Sequence, residues 1–349
     1  MRRAALAATL VGAALLLGLL AWQGIGAVAS ALRLAGWGVL GVAAFHLLPL
    51  LLDAAAIAVL LPRRGDRRVG FGAALRARWF GESVNSLMPA GQIGGPVLMI
   101  RYLSQCGMAG AEAGAIITVS TTLQTAAQLV FTLIGVAVCG AYVSGQMAWP
   151  LGVLCAVLAA LLYLFYQAQR RGIFAFLVAR LADLWPRRDW QGLARRAATL
   201  DRAVQGLYRE GGRAALYSFL LSLLGWLVGI AEVWLALRLI GHPLGWSGAL
   251  LLESLGQAVR GAAFAIPGAL GVQEGGYVVL ARIVALAVPA ALALSLIKRA
   301  REIVLALPGL LAWHLHERRW RRQGASQAEA PGAPLLAPNA LETKRKTHS

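Results

Sequence analysis

The chain of 349 residues contains few charged side chains. They make up 14% of the sequence, whereas soluble domains carry roughly 25%. Acidic residues are fewer than basic residues. The 15 acidic and 33 basic side chains give a formal net charge of +18. With 59% hydrophobic residues, this composition excludes a water-soluble globule and predicts a membrane protein.

Cysteine and histidine are also scarce. The three cysteines, Cys106, Cys139 and Cys155, lie in or beside apolar segments and form no Cys-x-x-Cys pair. The sequence therefore predicts neither a disulfide framework nor a structural zinc site. The five histidines show no metal-ligand spacing, so we expect no metal and no cofactor.

The basic residues lie between apolar runs, and a run of about 20 residues spans a bilayer as a helix. The apolar runs are 4–22, 36–61, 113–143, 149–168, 214–237, 246–266, 276–288 and 290–313. The first run could instead be a cleaved signal peptide, because Ala27-Val28-Ala29 resembles a cleavage site. The pattern predicts an all-α polytopic membrane protein with about seven or eight membrane segments.

Arginine clusters predict which loops face the cytoplasm. One cluster follows the second run at 63–68, and residues 169–213 hold ten arginines and four acids. The positive-inside rule then predicts a bacterial-type inner membrane protein with both termini in the cytoplasm. We expect the Arg-rich loop 169–213 to contact anionic lipid headgroups and no nucleic acid, because it has no aromatic-interleaved motif. Residues 1–323 would form the membrane domain, and 324–349, rich in Ala, Pro, Gly and Ser, a disordered tail.

Two segments interrupt the helical pattern with related sequences. Each places a Pro-Gly break before the element Gly-Gly-x-Val-x-x-x-Arg, which is 94–101 in the first and 275–282 in the second. Freed backbone groups survive in a bilayer only within protein or beside a wet cavity. We therefore predict two re-entrant hairpins of opposite orientation in an inverted repeat, with coincidental glycine-rich kinks as the alternative. The predicted break residues are Pro89, Gly91, Gly94, Gly95, Pro267, Gly268, Gly271, Gly275 and Gly276.

Ionisable residues gather around and after the second break. A charge at the bilayer centre costs about 2.5 to 3.5 kcal/mol, so we expect these groups to be paired or hydrated. Lys298 and Glu302 are four residues apart and can pair within one helix, although this segment could also mark a helix boundary at the interface. Asp53 and Glu232 are candidates for proton coupling, with helix packing as the alternative role of the polar stripe that contains Glu232.

The motifs at 85–101 and 266–275 resemble the transmembrane family of lysylphosphatidylglycerol synthase, also called the flippase-like domain family. The second motif with 294–302 is similar to the branch associated with hopanoid biosynthesis. The resemblance implies a helical membrane domain that acts on lipids, and in some members the translocation of aminoacylated phosphatidylglycerol. We expect no aminoacyl transfer by this chain, since a tail follows the membrane domain. A threonine-rich stretch at 118–122 replaces the arginine that the family often has there.

These observations predict a lipid transporter or flippase for a hopanoid or a phospholipid. Arginines would bind the headgroup, and amides would hydrogen-bond it. The predicted substrate-binding residues are Asn85, Gln92, Arg101, Glu253, Arg260, Gln273, Glu274, Arg282 and Arg299. The alternatives are a membrane enzyme, with Glu253 and Glu274 as a carboxylate pair, and an accessory scaffold for lipid-biosynthesis enzymes. We expect no enzyme, because no Ser-His or Cys-His pair and no phosphate loop is present.

Overall fold

The chain is built from α-helices, as the sequence predicts. The computed structural model describes residues 33, 36–62, 69–87, 93–140, 148–184, 190–263, 266 and 269–328, and these contain no β-strand. The helices are α1 (Gly38–Phe45), α2 (Leu47–Ala58), α3 (Phe71–Leu87), α4 (Gly94–Gln105), α5 (Gly110–Cys139), α6 (Ala148–Arg171), α7 (Ile173–Leu184), α8 (Gln191–Glu210), α9 (Gly212–Leu239), α10 (Trp246–Ala262), α11 (Val272–Ile283) and α12 (Val288–Ala328).

Three stretches of the described residues are long and apolar enough to cross a bilayer. They are Gly38–Ala58, which comprises α1 and α2, Gly110–Cys139 and Gly212–Leu239. They coincide with three of the apolar runs in the sequence, and the prediction of an all-α polytopic membrane protein is confirmed. The first apolar run, 4–22, lies outside the described residues.

The buried core joins the two halves of the chain. Helix α9 packs against α2 and α5, and α5 packs against α10. One continuous cluster of buried side chains includes Phe131 of α5, Val233 of α9, Leu252 of α10, Tyr277 of α11 and Leu294 of α12. These helices therefore share one apolar interior and hold the short helices between them in place.

The helical pattern is interrupted at both sequence breaks, and the two interruptions have the same layout. In each, a helix of 17 residues is followed by one of 12 residues, α3 and α4 in the first, α10 and α11 in the second. The two helices of each pair pack against each other. At 1.5 Å per residue they reach roughly 25 and 18 Å, too short for a core of about 30 Å. We call α3–α4 hairpin 1 and α10–α11 hairpin 2.

Glycine and a polar side chain begin the second helix of each hairpin. Gly95, at the start of α4, donates its backbone N–H to Asn85 Oδ1 at 2.8 Å, and a Cβ there would lie 2.6 Å from the Gly81 carbonyl oxygen. Gly271 precedes α11 with φ of +75°, a conformation that favours glycine, and donates its N–H to Glu274 Oε2 at 2.7 Å. In each hairpin, a backbone N–H at the start of the second helix is thus bonded to a side chain.

The order of elements repeats along the chain. Helices α1 and α2 precede hairpin 1 and α5 follows it, while α9 precedes hairpin 2 and α12 follows it. The predicted break residues Gly94, Gly95, Gly275 and Gly276 lie in the first turns of α4 and α11. Four others, Pro89, Gly91, Pro267 and Gly268, lie outside the described residues. The opposite orientation of the hairpins stays a prediction.

The Arg-rich segment 169–213 forms α7 and α8. The Asp201 carboxylate accepts hydrogen bonds from the backbone N–H groups of Phe174 and Ala175, at 3.2 and 2.7 Å, and so caps α7. Gln169 donates to the Thr122 hydroxyl of α5 at 2.8 Å and accepts from the Tyr208 hydroxyl at 2.8 Å. Burial raises the pKa of Tyr208 to about 12, so its phenol remains a donor. These bonds attach the segment to α5.

The chain divides into two compact units, residues 1–310 and 311–349. The first contains both hairpins. The described part of the second, 311–328, is helical and ends at Ala328, and the rest of the predicted tail lies outside the described residues. The boundary at residue 323 stays a prediction.

Candidate functional site

Buried ion pairs connect both hairpins to the long helices. In the first unit, residues 1–310, five carboxylates each pair with an arginine or a lysine from another helix. The pairs are Asp53 with Arg78 at 2.6 Å, Glu274 with Arg299 at 2.6 Å, Glu232 with Arg301, Glu253 with Lys298, and Glu302 with Arg260. Together with His46 and Glu82 we call these side chains the interior ion network.

Helical spacing explains why α12 supplies so much of this network. Lys298, Arg301 and Glu302 recur three and four residues apart and therefore share one face. That face meets Glu253 and Arg260 of hairpin 2 and Glu232 of α9. Arg299 points to a neighbouring side and reaches Glu274 of α11. One turn of α12 thus contacts hairpin 2 and α9 through ion pairs.

The pair between Lys298 and Glu253 is almost fully buried. The side chains of Lys298 and Glu253 are 2% and 4% exposed, and Gly229 of α9 lets Glu253 approach, because a Cβ there would lie 3.3 Å from its carboxylate. The amide of Gln257 also donates to Glu253 at 2.8 Å. A buried pair with further hydrogen bonds is costly to break, since removal of one member leaves a charge without compensation.

Hairpin 1 joins the network through two residues one turn apart on α3. Arg78 bonds Asp53 of α2 and donates to Gln124 of α5 at 3.2 Å. Gln124 in turn donates to Asp53 at 2.8 Å. Glu82 accepts from the ring of His46 at 3.2 Å and lies 3.9 Å from Arg78 Nε. Hairpin 1 is therefore held to α2 and α5 by polar contacts.

His46 occupies the turn between α1 and α2 and faces two carboxylates. Its Nδ1 lies 2.7 Å from Glu232 Oε2 and its Nε2 lies 3.2 Å from Glu82 Oε1. Arg301 Nη1 is 2.8 Å from the same Nδ1. The imidazole thus links hairpin 1 to α9 and α12, and both ring nitrogens lie where an N–H would have an acceptor.

Two small cavities adjoin the network, each of about 10 Å³, which is roughly the volume that one water molecule needs. The first is lined by His46, Glu82, Ser83, Arg301 and Glu302, with apolar residues of α12. The second lies beside Asp53, Arg78 and Gln124. Each cavity therefore has room for about one water molecule next to these charged groups.

Five of the predicted substrate-binding residues come together in this region. Glu253, Arg260, Gln273, Glu274 and Arg299 lie on hairpin 2 and α12, and Arg260 donates to Gln273 at 3.3 Å. Asn85 instead lies in hairpin 1, bonded to Gly95.

Two predicted arginines have exposed side chains. The side chains of Arg101, on α4, and Arg282, on α11, are both exposed. Gln92 lies outside the described residues. The substrate-binding role of all these residues stays a prediction.

Pairing within α12 differs from the expectation. Lys298 meets Glu253 and Glu302 meets Arg260, since a partner on another helix lies closer than the residue one turn away. Sequence reasoning also left out His46 and Arg78. The apolar run around His46 carries a signal that could have found it, because a histidine in a membrane span is expected to have a polar partner.

Metal binding finds no support in the described part of the chain. No group of three or more histidine, cysteine or acidic side chains there is arranged to hold an ion. The carboxylates of the network instead face arginine, lysine and histidine side chains. The absence of a metal and of a cofactor stays a prediction.

A family comparison accords with this architecture. Residues 7–311 match the family model described as the lysylphosphatidylglycerol synthase TM region. No curated protein and no solved structure matches the chain. The match covers both hairpins and every member of the interior ion network.

Proposed function

Because the chain belongs to the family of the lysylphosphatidylglycerol synthase TM region, we propose that it is a lipid transporter that moves lipid headgroups between the two leaflets. The family supports a lipid-related function in the membrane. We propose further that the protein translocates a hopanoid or a phospholipid. We also propose that it lies in the inner membrane with both termini in the cytoplasm.

The interior ion network carries this proposal. It lies among helices that are otherwise apolar, and it joins two hairpins whose helices are too short to cross a bilayer. A polar headgroup that crosses the hydrocarbon core needs a hydrophilic surface along its way. Hairpins bounded by longer helices are also the arrangement in which transporters place their substrate site.

Two equivalent arginines are our candidates for headgroup capture. Arg101 and Arg282 each lie seven residues after the first glycine of the shared motif, on the second helix of their hairpins, and both side chains are exposed. Guanidinium groups bind phosphate in a bidentate manner. With the hairpins inserted from opposite sides, one arginine would receive the headgroup from each leaflet.

Two other functions receive less support from the contacts. A membrane enzyme would use Glu253 and Glu274 together, but Lys298 holds the first and Arg299 the second. We therefore propose a non-enzymatic role. The positive charge of the Arg-rich segment favours anionic lipid headgroups as its partner. The alternative role is a scaffold that binds lipid-biosynthesis enzymes through this segment, and loss of that binding on removal of its arginines would be the test.

Lipid movement can be measured directly in vesicles. The purified full chain is reconstituted into phosphatidylglycerol-containing liposomes with a headgroup-labelled fluorescent phosphatidylglycerol, and a membrane-impermeant quencher reports the outer-leaflet fraction. We expect rapid equilibration with the wild-type chain. Arg101→Gln and Arg282→Gln should each slow it about tenfold, because loss of one charged hydrogen-bonding group costs about 1.5 kcal/mol or more.

Arg321→Gln provides the matched control, because the Arg321 side chain is 74% exposed and lies 2.8 Å from Glu317, four residues earlier on the same helix. It should transport at the wild-type rate. A wild-type chain that is folded and fails to move this phospholipid or a labelled hopanoid would contradict the proposed function. Conversion of the lipid to a new product without movement would favour the enzyme.

A further inference from the structure

The interior ion network contains one more carboxylate than it contains permanent cations. Each of five carboxylates has its own arginine or lysine, as described above. The sixth carboxylate, Glu82, has His46 at 3.2 Å, and Arg78, the cation in reach among the described residues, lies 3.9 Å away and is bonded to Asp53. With a neutral imidazole the network carries one net negative charge, and with an imidazolium it is neutral.

The geometry around His46 accommodates that proton. An imidazolium donates from both nitrogens, and here Nε2 faces Glu82 while Nδ1 faces Glu232. Neutral imidazole has one N–H, so one of the two carboxylates would then face a lone pair. The proton therefore has two acceptors ready in two different helices, α3 and α9.

Other charged groups surround the ring from every helix packed against it. Arg301 opposes its protonation, since Nη1 lies 2.8 Å from Nδ1, but Arg301 is itself neutralised by Glu232 and by Glu302 at 3.4 Å. The charged groups around His46 are Asp53 of α2, Glu82 of α3, Glu232 of α9, and Arg301 and Glu302 of α12, with Arg78 next to Glu82. The carboxylates outnumber the arginines among them.

Glu82 is the most accessible member of the site. The Glu82 side chain is 30% exposed, more than any other paired side chain of the network, whereas Glu232 is 2% exposed. The water-sized cavity touches both His46 and Glu82. Glu82 can thus exchange a proton with the surface, and His46 can receive it through the hydrogen bond between them or through one water molecule.

We propose that His46, Glu82 and Glu232 form a proton-binding site that couples lipid movement to a proton gradient. One proton is taken up by the imidazole as an N–H bond forms on one side of the membrane, and that bond breaks to release it on the other side. With the proton bound, hairpin 1 is joined to α9 through the ring. Without it, the ring has one N–H and can donate to only one of the two carboxylates, so the link between hairpin 1 and α9 through the ring is broken. This coupling rests on the proposed lipid transport.

The test uses the reconstituted full chain and labelled phosphatidylglycerol with a pH difference across the vesicle membrane. If one proton accompanies each lipid, a difference of about one pH unit supports a leaflet ratio of up to about tenfold. The wild-type ratio should rise with the imposed difference and return to one when a proton ionophore is added. His46→Gln should keep the ratio at one, and His242→Gln, at an exposed loop position, should match the wild type.

A second measurement does not depend on transport. In detergent, the wild-type unfolding temperature should fall as the pH is raised above the ordinary titration range of histidine and His46 loses its proton, and that fall should be missing in His46→Gln. A wild-type chain that moves lipid but keeps a leaflet ratio of one at every pH difference, or an undiminished pH response in His46→Gln, would overturn the proton site. If lipid moves without a pH response, only the proton site fails. If the unfolding response is present and no lipid moves, the proposed function fails alone.

Discussion

Replacing Arg301 with methionine will lower the free energy of unfolding by about 3–5 kcal/mol, because a buried ion pair that loses one partner leaves an uncompensated charge. The Arg301 side chain is 6% exposed and lies between Glu232 and Glu302. Methionine has a similar length and no charge, so the loss reports electrostatics more than packing. SDS titration of the purified protein in mixed micelles gives the unfolding free energy.

Two further variants make this result specific. Arg321→Met removes an exposed arginine and should cost at most about 1 kcal/mol. The double variant Arg301→Met with Glu232→Met should recover part of the loss, because apolar replacement of a whole buried pair is often tolerated. Equal stability of Arg301→Met and Arg321→Met would contradict a buried network.

A side chain at Gly135 will force α5 away from hairpin 2. A Cβ at this position would lie 2.7 Å from the Ser254 Cβ and 1.8 Å from its hydroxyl oxygen. Rotation of the serine can move the hydroxyl but not its Cβ. We expect Gly135→Ala to cost about 1–3 kcal/mol and Gly135→Val more, measured by the same titration, with a parallel loss of lipid movement.

An exchange of side chains tests this close approach. Gly152→Ala is the control, since a Cβ at Gly152 meets nothing within 4 Å, and it should keep the stability unchanged or raise it by up to about 1 kcal/mol. Adding Ser254→Gly to Gly135→Ala removes the opposing Cβ and should restore most of the stability, less about 1 kcal/mol for a glycine in a helix. A Gly135→Ala variant as stable as Gly152→Ala would show that the two helices do not touch there.

The class of fold follows from local features that are legible in the sequence. Apolar runs of spanning length give the long helices, and proline with glycine marks where the helical hydrogen bonds must stop. Hairpins 1 and 2 begin their second helices at Gly94 and Val272, next to the predicted breaks. The positions of the long helices and of the breaks depend on local sequence, so they can be predicted without knowing which residues meet across the fold.

The partners within the site depend on contacts far apart in the chain, which periodicity cannot specify. Helical spacing shows that Lys298 and Glu302 share a face, but their partners lie 45 and 42 residues away. His46 is 255 residues from Arg301. Charge balance can be counted only when each carboxylate is assigned to its cation, so the proposed role of His46 depends on contacts that the sequence does not specify.

The proposed transport site is tested most directly by exchanging the charges of the buried pair between Glu253 and Lys298 and measuring lipid movement. Glu253→Lys and Lys298→Glu should each stop lipid movement, because each places two like charges together at a site that is almost fully buried. The double exchange restores the pair between hairpin 2 and α12 and should recover a substantial part of the wild-type rate. Single variants that transport like the wild type, or a folded double variant as inactive as the singles, would contradict the claim that the paired charges form the core of the transport site.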